Sequence, residues 1–186
     1  MYSSITHHED DRVFSFVDRA DYAVLRDLEE WSTVAAELVN QAIENDSPLV
    51  SRIEINANVI SDMQVESLVS PEDFRGIRDD EGNLQAGAIV IDMDDHLFVE
   101  YLATAPWNVT QQEPRAVRKA ATALMAELAL ESDSNGHSGR IMLYAIPDAI
   151  EFYQKIGFVE TGEGSPNAPE MELTIAAARR LMNRRT

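Results

Sequence analysis

"AIEFYQKIGFVETG", residues 149–162, is the stretch on which the fold turns. Its first half reads as the end of a short helix spanning about 147–156. Gly157 stops that helix, because glycine takes the left-handed backbone of a helix C-cap at no steric cost. "FVETG" then reads as a strand. On either side of the glycine, Phe152 and Phe158 bury ring area against a sheet. Tyr153 lies beside Phe152 on the helix and can point elsewhere, towards a cleft. "RIMLYAI" (140–146) supplies a strand immediately before the helix.

Upstream, the loop "SDSNGHSG" (132–139) separates that strand from a helix of about 113–131. Strand, helix, strand, helix, strand predicts parallel pairing in this half of the sheet. Before Pro106 the pattern changes. Residues 73–78, "LQAGAIVIDM" (84–93) and "HLFVEYLATA" (96–105) read as strands joined by tight turns at "DDEG" and "DD", an antiparallel meander. "VFSFV" (13–17) is another short strand. Asp21 then caps a long helix, since Val24, Leu28, Trp31, Ala35, Leu38 and Ala42 fall on one face. "NDSP" (45–48) breaks it, and 49–69, of mixed periodicity, reads as a second helix. "EMELTI" (170–175) is the last strand. Together these elements make a mixed α/β sheet with helices on its faces.

Composition narrows the function. The chain has 186 residues, 45% of them hydrophobic, which suits one globular domain. It has no cysteine, which excludes disulfides, zinc–thiolate sites and iron–sulfur clusters. No apolar run approaches the roughly 20 residues that span a bilayer, and "MYSSITHHEDDR" lacks the apolar centre of a signal peptide, so a cytoplasmic location is expected. A formal charge of −18 repels nucleic acid and anionic lipid and attracts cations such as amines or basic peptides. His7 and His8 have no third ligand nearby, so no metal is expected.

Two segments carry a resemblance. "AIEFYQKIGFVETG" resembles the Ala-x-x-Phe-Tyr-x-Lys-x-Gly-Phe signature of the GNAT superfamily of N-acetyltransferases. "VEYLATAPWN" (99–108) is similar to the strand before the acetyl-CoA loop in one bacterial subgroup. The matching order of elements runs from Val13 to Ile175. The resemblance implies a tail at 1–12, a single acyltransferase domain at 13–176, and a basic helix or tail at 177–186. It implies a mixed, centrally splayed sheet of about six or seven strands with helices on both faces. Acetyl-CoA would lie in the splay, its pantetheine paired to the backbone of Leu102, Ala103 and Thr104. Tyr153 would stand near the thioester sulfur as general acid for the departing thiolate. Glu100 shares a strand face with Leu102 and Thr104 by alternation. It is a candidate general base if apolar neighbours bury it, and otherwise a solvated or arginine-paired carboxylate.

The chain also departs from that family. Its coenzyme loop pattern, Arg/Gln-x-x-Gly-x-Gly/Ala, anchored on "ALM" (123–125), falls on Ala116, Lys119 and Ala121 within "EPRAVRKAATALMAEL" (113–128). A shift of one residue puts Arg115 first. Ala121 is an allowed variant, but Lys119 replaces a glycine that leaves room for pyrophosphate at a helix N-terminus. Lys119, Arg115 and Arg118 either compensate by binding phosphate or leave the site without coenzyme. "TQQE" (110–113) offers a capping box at Thr110. Pro114 offers a later helix start, nearer the family's geometry. Ile146 stands where the family often has a coenzyme-binding asparagine. Two functions follow: an acyl-CoA-dependent N-acyltransferase moving acetyl from acetyl-CoA to a small-molecule or peptide amine, or an inactive GNAT-fold binding or regulatory module. A homodimer is left open.

Overall fold

The computed structural model describes residues 4–7, 12–111 and 114–183. In chain order the elements are β1 (Ser4–His7), β2 (Arg12–Val17), α1 (Tyr22–Glu44), α2 (Val50–Val69), β3 (Phe74–Arg78), β4 (Leu84–Asp92) and β5 (Leu97–Thr104). They continue with α3 (Pro106–Thr110), α4 (Ala120–Ser134), β6 (Ile141–Tyr144), α5 (Pro147–Ile156), β7 (Phe158–Ser165), β8 (Ala168–Leu173) and α6 (Ile175–Asn183). Asp21 caps α1 as its sequence predicts, accepting the Val24 N–H at 2.9 Å.

The strands form one sheet in the order β1-β2-β3-β4-β5-β6-β8-β7. Among the described residues it has eight strands, and residues 4–7 of the stretch expected as a tail form its edge strand β1. The β3–β4–β5 meander is antiparallel as expected. The parallel half shrinks to one pair, β5 with β6. A tight hairpin, Ser165 opposite Ala168, joins β7 to β8, so the two must run antiparallel. The α5 crossover carries β7 to the edge, and β8 returns antiparallel between it and β6. The helices cover the sheet in two groups, each over its own apolar core. Beneath α4, α5 and α6 lie Leu124, Leu128, Ile141, Leu143, Phe158 and Leu181. Beneath α1 and α2 lie Leu28, Trp31, Ile60, Met63 and Phe74.

The segment before α4 corrects the expectation of a helix from 113. Neither Thr110 nor Pro114 opens α4, which starts at Ala120 and runs to Ser134. Instead Pro106 opens the one-turn α3, which Gln111 ends in left-handed backbone at φ 54°. Glu113 of the expected capping box lies outside the described residues. Residues 116 and 117 are buried, and the Val117 N–H donates to Asn108 Oδ1 at 2.6 Å. A segment held this way is a loop, not a first helical turn. Glu131, poorly placed for the helix dipole of α4, has its own reason: Arg75 on β3 grips it with Nη2 at 2.6 Å and Nε at 2.8 Å.

Candidate active site

β5 and β6 pair only from Leu97–Ile141 to Val99–Leu143, while β5 continues to Thr104. Beyond Val99 the two strands part. On its other side β5 stays paired with β4, and the Ala105 N–H bonds Gln85 O at 3.1 Å. By alternation, Ala103 and Ala105 face β4, while Leu102 and Thr104 turn their N–H and C=O groups into the gap. The gap opens on a cavity of about 210 Å³. Leu102, Ala103 and Thr104 form one wall, Ala121 in the first turn of α4 another, and Tyr153 of α5 a third. Five of the sequence-predicted site residues thus converge.

Tyr153 is 7% exposed, with its ring 5.3 Å from Phe158 and 5.1 Å from Phe152. Burial pushes its phenol pKa well above the ordinary value, so the hydroxyl stays protonated. The expected division of labour shifts here. Tyr153 faces the core and the cavity together, while Phe152 is half-buried and also lines the cavity.

The other predicted residues lie elsewhere. Glu100 is exposed and does not line the cavity. Ile89 pairs with Tyr101 and Val90 with Val99, so Glu100 is the extra residue of a β-bulge. The bulge breaks the alternation that placed it beside Leu102, and the apolar burial argued for a base is missing. Arg115 stacks on Trp107 at 3.6 Å from the ring centroid and pairs with Glu30 at 2.9 Å. Ala116 points into the core. Arg118 and Lys119 are exposed and do not line the cavity.

Lys119 is the N-cap of α4 and has φ 64° and ψ 15°. It therefore holds the left-handed conformation that glycine would take for free, although the glycine itself is gone. Lys119→Gly is expected to raise stability by roughly 0.5–1 kcal/mol, the strain relieved less glycine's entropy. Urea unfolding checks this, and a loss of stability would show that lysine contacts outweigh the strain.

Sequence reasoning missed two parts of the site. One is a buried polar hub. Gln85, fully buried, accepts from Trp107 Nε1 at 3.1 Å and Asn108 Nδ2 at 3.0 Å, and donates to Asp79 Oδ2 at 2.7 Å. Through Asn108 it fixes Val117 and thereby the start of α4. The signal was present as a lone glutamine in an otherwise apolar strand, "LQAGAIVI". The other is α2, whose Asn56 Nδ2 donates to Thr104 O at 3.1 Å.

Among the described residues there is no His/Cys/Asp/Glu group able to hold a metal, and no helix long and apolar enough to cross a membrane. No protein-family model and no curated protein matches the chain. Solved structures do match. A GNAT-family acetyltransferase from Listeria monocytogenes aligns with TM-score 0.56 at 11% identity, over 91% of this chain and 98% of its own. The PaiA N-acetyltransferase from Thermoplasma acidophilum, solved with coenzyme A, aligns with TM-score 0.53 at 17% identity, over 86% and 97%. One from Staphylococcus aureus gives 0.51 at 11%, over 87% and 99%. The chain has the GNAT fold of these acetyltransferases, with its cavity where β5 leaves β6.

Proposed function

We propose that this chain is an acyl-CoA-dependent N-acyltransferase that moves acetyl from acetyl-CoA to an amine. One observation carries the reading: the edge of β5 beyond Val99, facing a cavity shared with the first turn of α4 and Tyr153. That edge fits the coenzyme. Leu102 offers a backbone donor and acceptor and Thr104 a donor, at a strand spacing that pantetheine amides match, while the Thr104 carbonyl already accepts from Asn56 Nδ2 at 3.1 Å. The first-turn N–H groups of α4 suit an anion.

In the transfer, an amine nitrogen attacks the thioester carbon, a C–N bond forms and the C–S bond breaks. Backbone donors of β5 stabilise the developing oxyanion. Tyr153, kept neutral by burial, donates its hydroxyl hydrogen bond to the departing sulfur. Glu100 sits exposed at the bulge and outside the cavity, so the amine's proton passes to solvent water or to Asp148, which among the described residues is the one carboxylate lining the cavity. The net charge of −18 favours cationic amines. The competing reading, an inactive module, rested on Lys119 at a glycine position. Lys119 lies outside the cavity in glycine-like backbone, so the substitution leaves the cavity open.

Release of free thiol from acetyl-CoA across a panel of amines tests the activity. Tyr153→Phe is expected to lower kcat roughly a hundredfold while leaving the KM for acetyl-CoA nearly unchanged. An unaltered kcat would remove Tyr153 from the chemistry.

A further inference from the structure

We infer that the coenzyme's phosphates are gripped from α2, by Arg52, and not by the arginines of the loop before α4. The inference rests on the acyl-CoA reading above. Arg52, Ile55, Asn56 and Val59 recur at the spacing of one helical face, and all four line the cavity. Asn56 ties that face to the open edge of β5 through its 3.1 Å bond to Thr104 O. Arg52, one turn earlier on the same face, opens on the same cavity as Ala121 in the first turn of α4.

The other cations near α4 are placed differently. Arg115 stacks on Trp107 and pairs with Glu30, and neither Arg118 nor Lys119 lines the cavity. Among the described residues Arg52 is the one cation that does, and it forms no ion pair with any of them. A phosphate entering there meets the first-turn N–H groups of α4 and a guanidinium whose fork matches its oxygens. This also explains how a loop without its glycine and with its arginine diverted remains compatible with a coenzyme site. Asp148, in the first turn of α5, lines the cavity too, and its carboxylate is the other group that Arg52 could serve.

Two ligands separate these roles. Coenzyme A carries the phosphates, and pantetheine carries the same thiol arm without them. Arg52→Gln is expected to weaken coenzyme A binding tenfold or more by calorimetry, on the scale of one lost charge-assisted contact. Pantetheine, followed by thermal shift at millimolar concentration, should be unaffected. Arg52→Lys should recover part of the coenzyme A affinity. Because Arg52 is exposed, the ligand-free variant should unfold at the wild-type temperature. Equal weakening of both ligands would assign Arg52 to Asp148 or to the shape of the cavity and overturn the inference, as would coenzyme A binding unchanged in Arg52→Gln. A wild-type protein that binds no coenzyme A would instead overturn the acyl-CoA reading, and this inference with it.

Discussion

Gly157→Ala is expected to lower the unfolding free energy by roughly 2–4 kcal/mol. Gly157 caps α5 at φ 107° and ψ 16°, where side chains are strained whatever the space. The space is also taken. A Cβ at Gly157 would stand 2.5 Å from the Cβ of Ala177, which is itself 2% exposed in α6. Alanine therefore adds backbone strain to an overpacked contact, and α6 must shift to relieve it. For a domain whose whole stability is of order 5–15 kcal/mol, that is a large fraction. Urea unfolding measures it. Pairing Gly157→Ala with Ala177→Gly in a double-mutant cycle should show a favourable coupling, because the second change removes the clash and leaves the strain. An unchanged midpoint for the single variant would show that α6 moves freely.

Gln85→Leu should cost about 2–4 kcal/mol although it nearly preserves volume. Trp107 Nε1 loses its acceptor at 3.1 Å, one bond from Asn108 Nδ2 is lost, and Asp79 loses a donor. Trp107, 3% exposed, has no water to turn to. Asn108 keeps its bond to Gln85 backbone O at 3.1 Å, so the loop loosens instead of unfolding. The effect should reach the cavity. Asn108 holds Val117 at 2.6 Å, and Val117 sets where α4 begins. Coenzyme affinity should therefore fall alongside stability in Gln85→Leu. Loss of stability with coenzyme affinity intact would show that the hub supports the fold alone.

How far the chain was legible follows from which interactions are local. The cap at Asp21, the glycine stop at Gly157 and the β3–β4–β5 meander depend on neighbouring residues, and their sequence signals matched the structure. The start of α4 did not. Its position depends on Asn108 bonding Val117 and on Ala116 entering the core, contacts that no local propensity encodes. The parallel pairing expected beyond β6 failed for a similar reason: alternation of strand and helix cannot show that a hairpin will fold β8 back antiparallel against β6. Within the site, the resemblance placed Leu102, Ala103, Thr104, Ala121 and Tyr153 together, because backbone register and a short helix position them. Glu100 escaped, since a bulge shifts alternation by one residue and leaves no mark in the sequence. Arg115 escaped because its partners, Trp107 and Glu30, come from distant elements. The mixed periodicity of α2 has a physical source in hindsight. One face buries Ile53, Ile60 and Met63, and a second lines the cavity with Arg52, Ile55, Asn56 and Val59.

Thermal unfolding of the wild-type protein with increasing acetyl-CoA is the most direct test of a coenzyme site in the gap between β5 and β6. At a hundredfold excess over Kd, a ligand that binds only the folded state adds about 2.7 kcal/mol. For a domain of this length that corresponds to a rise of roughly 5–10 °C in Tm. A concentration-dependent rise of that size is the expected result, and an unchanged Tm at millimolar acetyl-CoA would contradict the acyl-CoA function.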